Sequence, residues 1–530
     1  MIAIYFTLTL LLGFLGLYTL KSWFIPLNSC PLPPGPPRRL VIGNLFDFPK
    51  PGSKEWEHWL KHKDLYGPIS SLVTMGQTVI LLNKPKVAYD LMEKRSAIYS
   101  SRPQAVFSAD LANWKRQVTL NGDASVVRTH RKYMTSLIGS KNAILNLHPQ
   151  LDLGARHFLL QTLQQPDSLI ENIRRVTGAR ILDMVYGYKV EPSGPDPLID
   201  LADLSGKQFS SAAQTGTWVV DSIPILKYLP AWFPGAGFQR TAREWGHVLT
   251  TLAEKPYAFV LHQRSKGKDV ASYVSRHLDA LDGPVAPDEE FVIKWTAATM
   301  YGGGADTTVS ALSTFFLVMA QFPDVQRHAQ AELDLVVGPR LPTMNDRPNL
   351  PYVHALIKEV MRWHPVVPLG VPHMATEDDE YCGYRIPKGA VLIANIWSFT
   401  HDPEIYNEPM SFNPGRFLQH EDGIAPECDP QKLVFGFGRR ICPGRFLADA
   451  SLFLTIAKSL AVFDIAKGLG EDGKEVDLPA GFRPGIISHP SPFRVQIRPR
   501  SGCAQMLIGS VEAEEPWLKG HSKVFDDIKL

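Results

Sequence analysis

The 530-residue chain has no Cys-x-x-Cys pair and no Asn-x-Ser/Thr sequon. Its five cysteines, Cys30, Cys382, Cys428, Cys442 and Cys503, are odd in number and widely spaced. That pattern argues against a zinc cage or a dithiol redox site. Together with the missing sequon it suits a body facing a reducing, unglycosylated compartment. Runs of one charge are missing too. The 55 Lys and Arg stand against 53 Asp and Glu, with no long basic stretch and no basic–aromatic alternation, so nucleic acid is not expected as a partner. No glycine-rich stretch runs into Gly-Lys-Ser/Thr and no flavin or nicotinamide fingerprint occurs, which excludes a phosphate cradle of those types. Internal repeats and low-complexity breaks are absent as well.

One long uncharged apolar run is present, Ile2 to Leu20. Nineteen helical residues rise about 28 Å, close to the thickness of a bilayer's hydrocarbon core. Lys21 ends the run, and Trp23 and Phe24 suit an interface belt. No basic segment precedes the run, and it is long for the core of a cleaved signal peptide. Residues 1–20 are therefore expected to be a single transmembrane anchor, and residues 21–40 a proline-rich hinge containing Pro31 to Pro37. Lys21, Arg38 and Arg39 place the body on the cytoplasmic side. Residues 41–500 read as one globular unit and 501–530 as a tail, with Glu512, Glu514 and Glu515 clustered in it and no role assigned. Helical periodicity dominates, notably over 89–98, 289–321, 324–336, 352–363 and 444–462. Strand-like runs lie at 70–82, 381–386 and 391–397, so the fold class is mostly α with a small β region. The apolar, proline-broken segment 221–234 reads as a core loop, a patch dipping into a bilayer or a substrate entrance.

The strongest local signal is Phe435-Gly-Phe-Gly-Arg-Arg-Ile-Cys-Pro-Gly444. Its early glycines permit a turn that other residues resist, and Cys442 falls at the mouth of an apolar helix. The N–H groups and partial positive charge there are expected to lower a thiol's pKa. A thiolate so placed is a good ligand for haem iron. For Cys-Pro-Gly alone the competing reading is a buried structural cysteine. A second signal is Gly302 to Gly304 inside a helical stretch, where each glycine costs about 1 kcal/mol relative to Ala. Close approach of a flat cofactor and dioxygen to the backbone accounts for them; a loop between two helices is the alternative. A third is Glu359-Val-Met-Arg362, by itself a commonplace i,i+3 pair.

Phe435, Gly438, Arg440, Cys442 and Gly444, with Gly303-Gly-Ala-Asp-Thr-Thr308, Glu359-Val-Met-Arg362 and Phe412-Asn-Pro-Gly-Arg-Phe417 in this order, resemble the cytochrome P-450 family, in the style of its fungal microsomal members. The resemblance covers Arg38 to Arg500. It implies the P-450 fold, with haem b between a long central helix and the cysteine loop. Cys442 is then the axial iron ligand, Arg131, His373 and Arg440 contact the haem propionates, and Asp306 and Thr307 form the acid–alcohol pair that handles dioxygen and its protons. Glu359, Arg362 and Arg416 form a structural network. Two departures stand out. Val127 occupies the place of the family's usual Trp, four residues before Arg131, and Gly415 stands where Glu is common.

By the same resemblance the chain is a monooxygenase that inserts one oxygen atom into a hydrophobic molecule, in secondary metabolism or xenobiotic oxidation. Its NADPH electrons come from a separate reductase that docks on Arg128, Lys132, Arg439 and Arg445. The expected location is the endoplasmic reticulum membrane. Walls of the pocket are expected at 102–126, 224–238, 366–372 and 485–489. The alternatives are a haem-thiolate isomerase or dehydratase, against which Asp306-Thr307 speaks, and a non-enzymatic haem carrier or sensor.

Overall fold

The computed structural model describes residues 30–528, apart from 41, 51, 215, 282, 420–422, 424, 479 and 480. The run 2–20 lies outside the described residues. Among those described, no single helix is long and apolar enough to cross a membrane.

The small sheet collects strands from distant parts of the chain. Strands β1 (Ile69–Thr74) and β2 (Gln77–Leu82) form an antiparallel hairpin. Met75 and Gly76 turn it, both with positive φ (46° and 85°), the backbone that a two-residue hairpin loop needs. The 70–82 run is thus two strands, because alternation continues across a turn with one glycine. Two short strands, β3 (His373–Met374) and then β6 (Val391–Ala394), complete the order β1-β2-β6-β3, with β6 parallel to β2. Between them, β4 (Asp379–Tyr381) and β5 (Tyr384–Ile386) pair as a hairpin. The proline-rich stretch lies against this sheet rather than standing free. Ser71 donates from its N–H to the Pro34 carbonyl at 2.8 Å and from its hydroxyl to that of Pro33. A Cβ on Gly35 would lie 1.9 Å from the Ser71 carbonyl oxygen.

The helical body is built from α1 (Glu55–Tyr66), α2 (Ala124–Ile138), α3 (His148–Gln164), α4 (Leu169–Tyr186), α5 (Pro197–Ala212), α6 (Phe238–Ser265), α7 (Pro287–Gln321), α8 (Pro323–Val336), α9 (Pro351–Trp363), α10 (Arg445–Val462) and α11 (Gly502–Glu514). Helix α7 is the axis. It opens with Pro287 at its first position and Asp288, Glu289 and Glu290 in its first turn, residues that suit a helix N-terminus. From Val309 to Ala320 every side chain is buried, as expected of a helix apolar all round. Its main packing partner is α4. Residues 89–98 are not one α-helix: Tyr89–Lys94 is wound as a π turn and only Ser96–Tyr99 is α.

The C-terminal segment is packed, not loose. Ile508 and Val511 of α11 are 0% and 1% exposed, and α11 lies on α3. Beyond it Trp517 stacks on His157 at 4.0 Å. His521 then exchanges two hydrogen bonds with Lys189, at 2.9 and 3.0 Å. Phe525 reaches Tyr188 and Phe259. The segment therefore straps α3, the end of α4 and α6 together.

Candidate functional site

A cavity of about 360 Å³ lies between α7 and the 435–444 loop. The loop's geometry puts Cys442 on its wall. Gly436 and Gly438 have φ of 76° and 55°, and a Cβ on Gly438 would sit 2.2 Å from the Met92 carbonyl oxygen. Only glycine fits there. The Cys442 N–H then closes the loop on the Phe435 carbonyl at 2.8 Å, and α10 begins three residues later. The expectation of a lowered thiol pKa is not met. Burial pushes the Cys442 thiol up, outweighing the Gly444 N–H, Arg131 and Arg445, which pull it down. Desolvation wins because the apolar surroundings of the thiol disfavour its charged form. Coordination to a cation is what makes such a thiol a thiolate. Among the described residues no three His, Cys, Asp or Glu side chains cluster to hold a metal, so an iron here must bring most of its ligands with it.

The charges around this cavity are all cationic. Arg102, Arg131, Arg180 and Arg440 line it together with the ring of His373, and among the described residues no Asp or Glu does. Arg440 donates to the carbonyls of Ser100, Val118 and Asn121 at 2.6–3.1 Å, and burial, then Arg131, lowers its pKa to about 10. His373 Nδ1 donates to the Tyr99 carbonyl at 2.6 Å, and burial, then Arg102, holds its ring well below the ordinary value. Arg131 is desolvated as well, and among the described residues no acceptor is bonded to its guanidinium. Arg102, which the sequence placed only at the start of a pocket wall, is 5% exposed. It bonds the carbonyls of Thr119, Val371 and Pro372. Backbone oxygens satisfy these donors without neutralising them. Buried cations left so are costly, and a dianionic cofactor such as haem removes the cost. The residues present fit that group. Val127, in the Trp place, is buried in the helical core at 6% exposure.

Across the cavity, α7 presents Gly303, Gly304, Thr307 and Thr308. The helix runs unbroken through its glycines. Gly304 packs closely on α4, where a Cβ would meet the end of the Ile181 side chain at 2.9 Å, whereas one on Gly303 would meet nothing within 4 Å and would only fill the cavity. Thr307 Oγ1 donates to the Gly303 carbonyl at 2.7 Å. Asp306 is not on the cavity wall; its Oδ2 faces His489 Nε2 at 3.2 Å. Of the expected pocket walls, Val118, Thr119, Val366, Val367, Gly370 and Val371 contribute. The segments 224–238 and 485–489 do not. The first instead exposes Ile225, Tyr228 and Trp232, at 72%, 77% and 81%.

The 359–416 network lies away from the cavity. Arg362 grips Glu359 with two hydrogen bonds of 2.7 and 2.9 Å and bonds the carbonyls of Thr400, Pro409 and Ser411. Arg416 bonds Glu359 at 3.3 Å. Glu427 is a second carboxylate partner of Arg416, at 2.7 Å. Glu359 and Arg362 are both 0% exposed. The network pins the chain after β6 to α9.

Comparison with known proteins gives a match of residues 33–497 to the family model described as Cytochrome P450. The chain is 44% identical over 498 residues to cytochrome P450 monooxygenase claR of Ampulloclitocybe clavipes, covering 94% of this chain and 91% of that protein. It is 44% identical over 501 residues to cytochrome P450 monooxygenase ppsD of Aspergillus oryzae, covering 94% of each chain. It is also 44% identical over 506 residues to O-methylsterigmatocystin oxidoreductase of Aspergillus flavus, covering 95% and 94%.

Proposed function

The chain belongs to the cytochrome P450 family and is an oxidoreductase of its monooxygenase type; from that premise we propose that it inserts one atom of O2 into a hydrophobic organic substrate, with electrons relayed from NADPH by a separate reductase. The observation that carries this is one cavity with the Cys442 thiol on one wall, Thr307 on the other and only cations for charge. Haem b is the proposed cofactor. Bound there, its iron supplies the activation of dioxygen. The chain's own residues do the rest. Cys442 would hold the iron through its thiolate, and Arg102, Arg131, Arg440 and His373 would hold the two propionates. Thr307 offers a hydroxyl to the oxygen to be activated, and Asp306 stands one residue away as the acid that feeds it protons.

The cavity is apolar at and beside α7, with Met300 on the helix and Val118, Val366, Val367 and Val371 around it. It selects apolar molecules and offers few polar anchors. The names of the relatives support a place in secondary metabolism. We place the protein in the endoplasmic reticulum membrane, anchored by residues 2–20, with the body cytoplasmic. The exposed Ile225, Tyr228 and Trp232 support contact of the body with lipid. Arg128, Lys132 and Arg439 are exposed and Arg445 is half-buried; they offer a basic face to an acidic reductase. The isomerase reading is disfavoured by the Asp306–Thr307 pair. A bare carrier leaves that pair without use.

The experiment is a screen of hydrophobic compounds with the membrane-bound protein, reductase and NADPH, read by mass spectrometry. NADPH-dependent products heavier by one oxygen are expected. Rearranged products of unchanged mass, formed without NADPH, would instead establish the isomerase reading.

A further inference from the structure

Successive residues on a helix point about 100° apart, so α7 cannot send Thr307 and Asp306 to the same place. Thr307 lines the cavity and Asp306 does not. The carboxylate turns toward α5 and the 485–489 loop. There His489 Nε2–H donates to Oδ2 at 3.2 Å, the one side-chain hydrogen bond to Asp306 among the described residues. Arg174 of α4 and Lys207 of α5 are the other charges that face it. Both are already paired with Asp203. Burial favours the neutral acid, while His489, Arg174 and Lys207 favour the carboxylate, and the balance lies below the ordinary value. The acid is therefore ionised at rest and gains a proton only when one is delivered to it.

The structure fixes His489 for this contact from several sides. Gly485 has φ 135°, and a Cβ on it would meet Ser210 Oγ of α5 at 2.4 Å. Ser310 of α7 donates to the Ser488 carbonyl. The Ser488 N–H donates to Val366 at 2.9 Å, and the Arg483 N–H donates to the His489 carbonyl at 2.7 Å. His364 closes the set through the Ser488 hydroxyl at 2.8 Å. The His489 side chain keeps 22% of its surface exposed and Asp306 keeps 17%, although neither lines the cavity.

We propose that His489 is the positioning partner of Asp306 and the point where protons enter from outside the substrate cavity. Nε2–H of His489 holds Oδ2 and, when the ring carries a second proton, passes its own to the carboxylate. A neutral imidazole and a neutral carboxylic acid remain, and the ring takes its replacement proton from a hydronium ion of the solvent, leaving water. Protons then reach Thr307 while the apolar wall stays dry. The proposal rests on the roles given above to Asp306 and Thr307.

The test compares parent, Asp306→Asn, His489→Gln and His489→Asn, each with parental haem content. Glutamine and asparagine keep an N–H donor and carry no exchangeable charge. In the resting enzyme, the Asp306 carboxyl is followed by infrared titration of 13C-aspartate protein, with Asp306→Asn as the subtraction. It should protonate at higher pH in His489→Gln, because the partner that lowers its pKa is gone. In turnover, product per NADPH should fall on the order of tenfold or more in both His489 variants, with spectral affinity for substrate unchanged. Parental titration and parental yield in both variants would overturn the proposal, while a deficit confined to Asp306→Asn leaves the acid's role standing without His489. An undiminished yield in Asp306→Asn sinks the acid's role and the proposal with it.

Discussion

At the scale of single residues, Cys442 is the proposed iron ligand and the cations around it are the proposed partners of the propionates. Cys442→Ser should abolish the red-shifted ferrous–CO band, because a neutral hydroxyl donates far less electron density to iron than a thiolate. A band of parental position in that variant would move the ligand elsewhere. Arg131 is the cavity cation with no acceptor among the described residues. A hydrogen bond to a charged group contributes about 1.5–3 kcal/mol, which corresponds to roughly ten- to a hundredfold in retention. Arg131→Ala should therefore lose haem to an apo-globin acceptor faster than the parent by about that factor. Equal rates would remove Arg131 from the propionate site. Residues such as Phe435, Gly438, Arg440 and Cys442 were legible in the sequence because one short loop holds them all. Arg102 and His489 were not. Their partners lie 270 and 183 positions away, and neither sits in a pattern that marks it locally. The desolvation that raises the Cys442 thiol was not legible either: a helix start can be read from sequence, but the apolar surroundings that other segments bring to it cannot.

At the scale of elements, Glu359 joins α9 to the 407–416 segment through two arginines and the Asn413 N–H at 2.7 Å. Replacing it by Ala leaves the buried guanidinium of Arg362 without its carboxylate. Breaking such a pair from one side costs about 3–5 kcal/mol. Glu359→Ala should thus show markedly earlier urea unfolding and low haem occupancy, whereas Leu335→Ala, at an 87% exposed position, should match the parent. Similar midpoints for the two variants would demote the network to a bystander. The long helices α7 to α10 were legible because their apolar periodicity is sustained and prolines mark three of their starts. Short elements were less so. The 391–397 run looks like one strand, yet it ends at Ala394 and Asn395 caps a helical turn by accepting from Ser398 N–H. β-branched residues continue through the boundary, and the capping asparagine is the only local sign of it.

At the scale of the molecule, the fold sets both its acid sensitivity and its closure at the C-terminus. His62 and His130 are 3% and 1% exposed, and burial lowers each to about 4 from an ordinary value near 6.5. Above pH 6.5 both are neutral folded or unfolded, and their contribution is constant. Between about 6.5 and 4 the unfolded chain takes up protons that the folded one refuses, so stability falls as the pH drops. The urea midpoint should decline across that window, and His130→Gln should flatten the decline; an equally steep profile in the variant would contradict it. The C-terminal strap could have been anticipated from Ala504, Ile508 and Val511 at helical spacing, but Glu512, Glu514 and Glu515 hid that stripe in a charged tail. The central claim is that this body transfers a single oxygen atom from O2. Its most direct measurement is turnover under 18O2 with reductase and NADPH, using a substrate found in the screen. One 18O atom per product molecule is predicted, with the other in water. Product that carries only solvent oxygen, or that forms equally well without NADPH, would contradict the account.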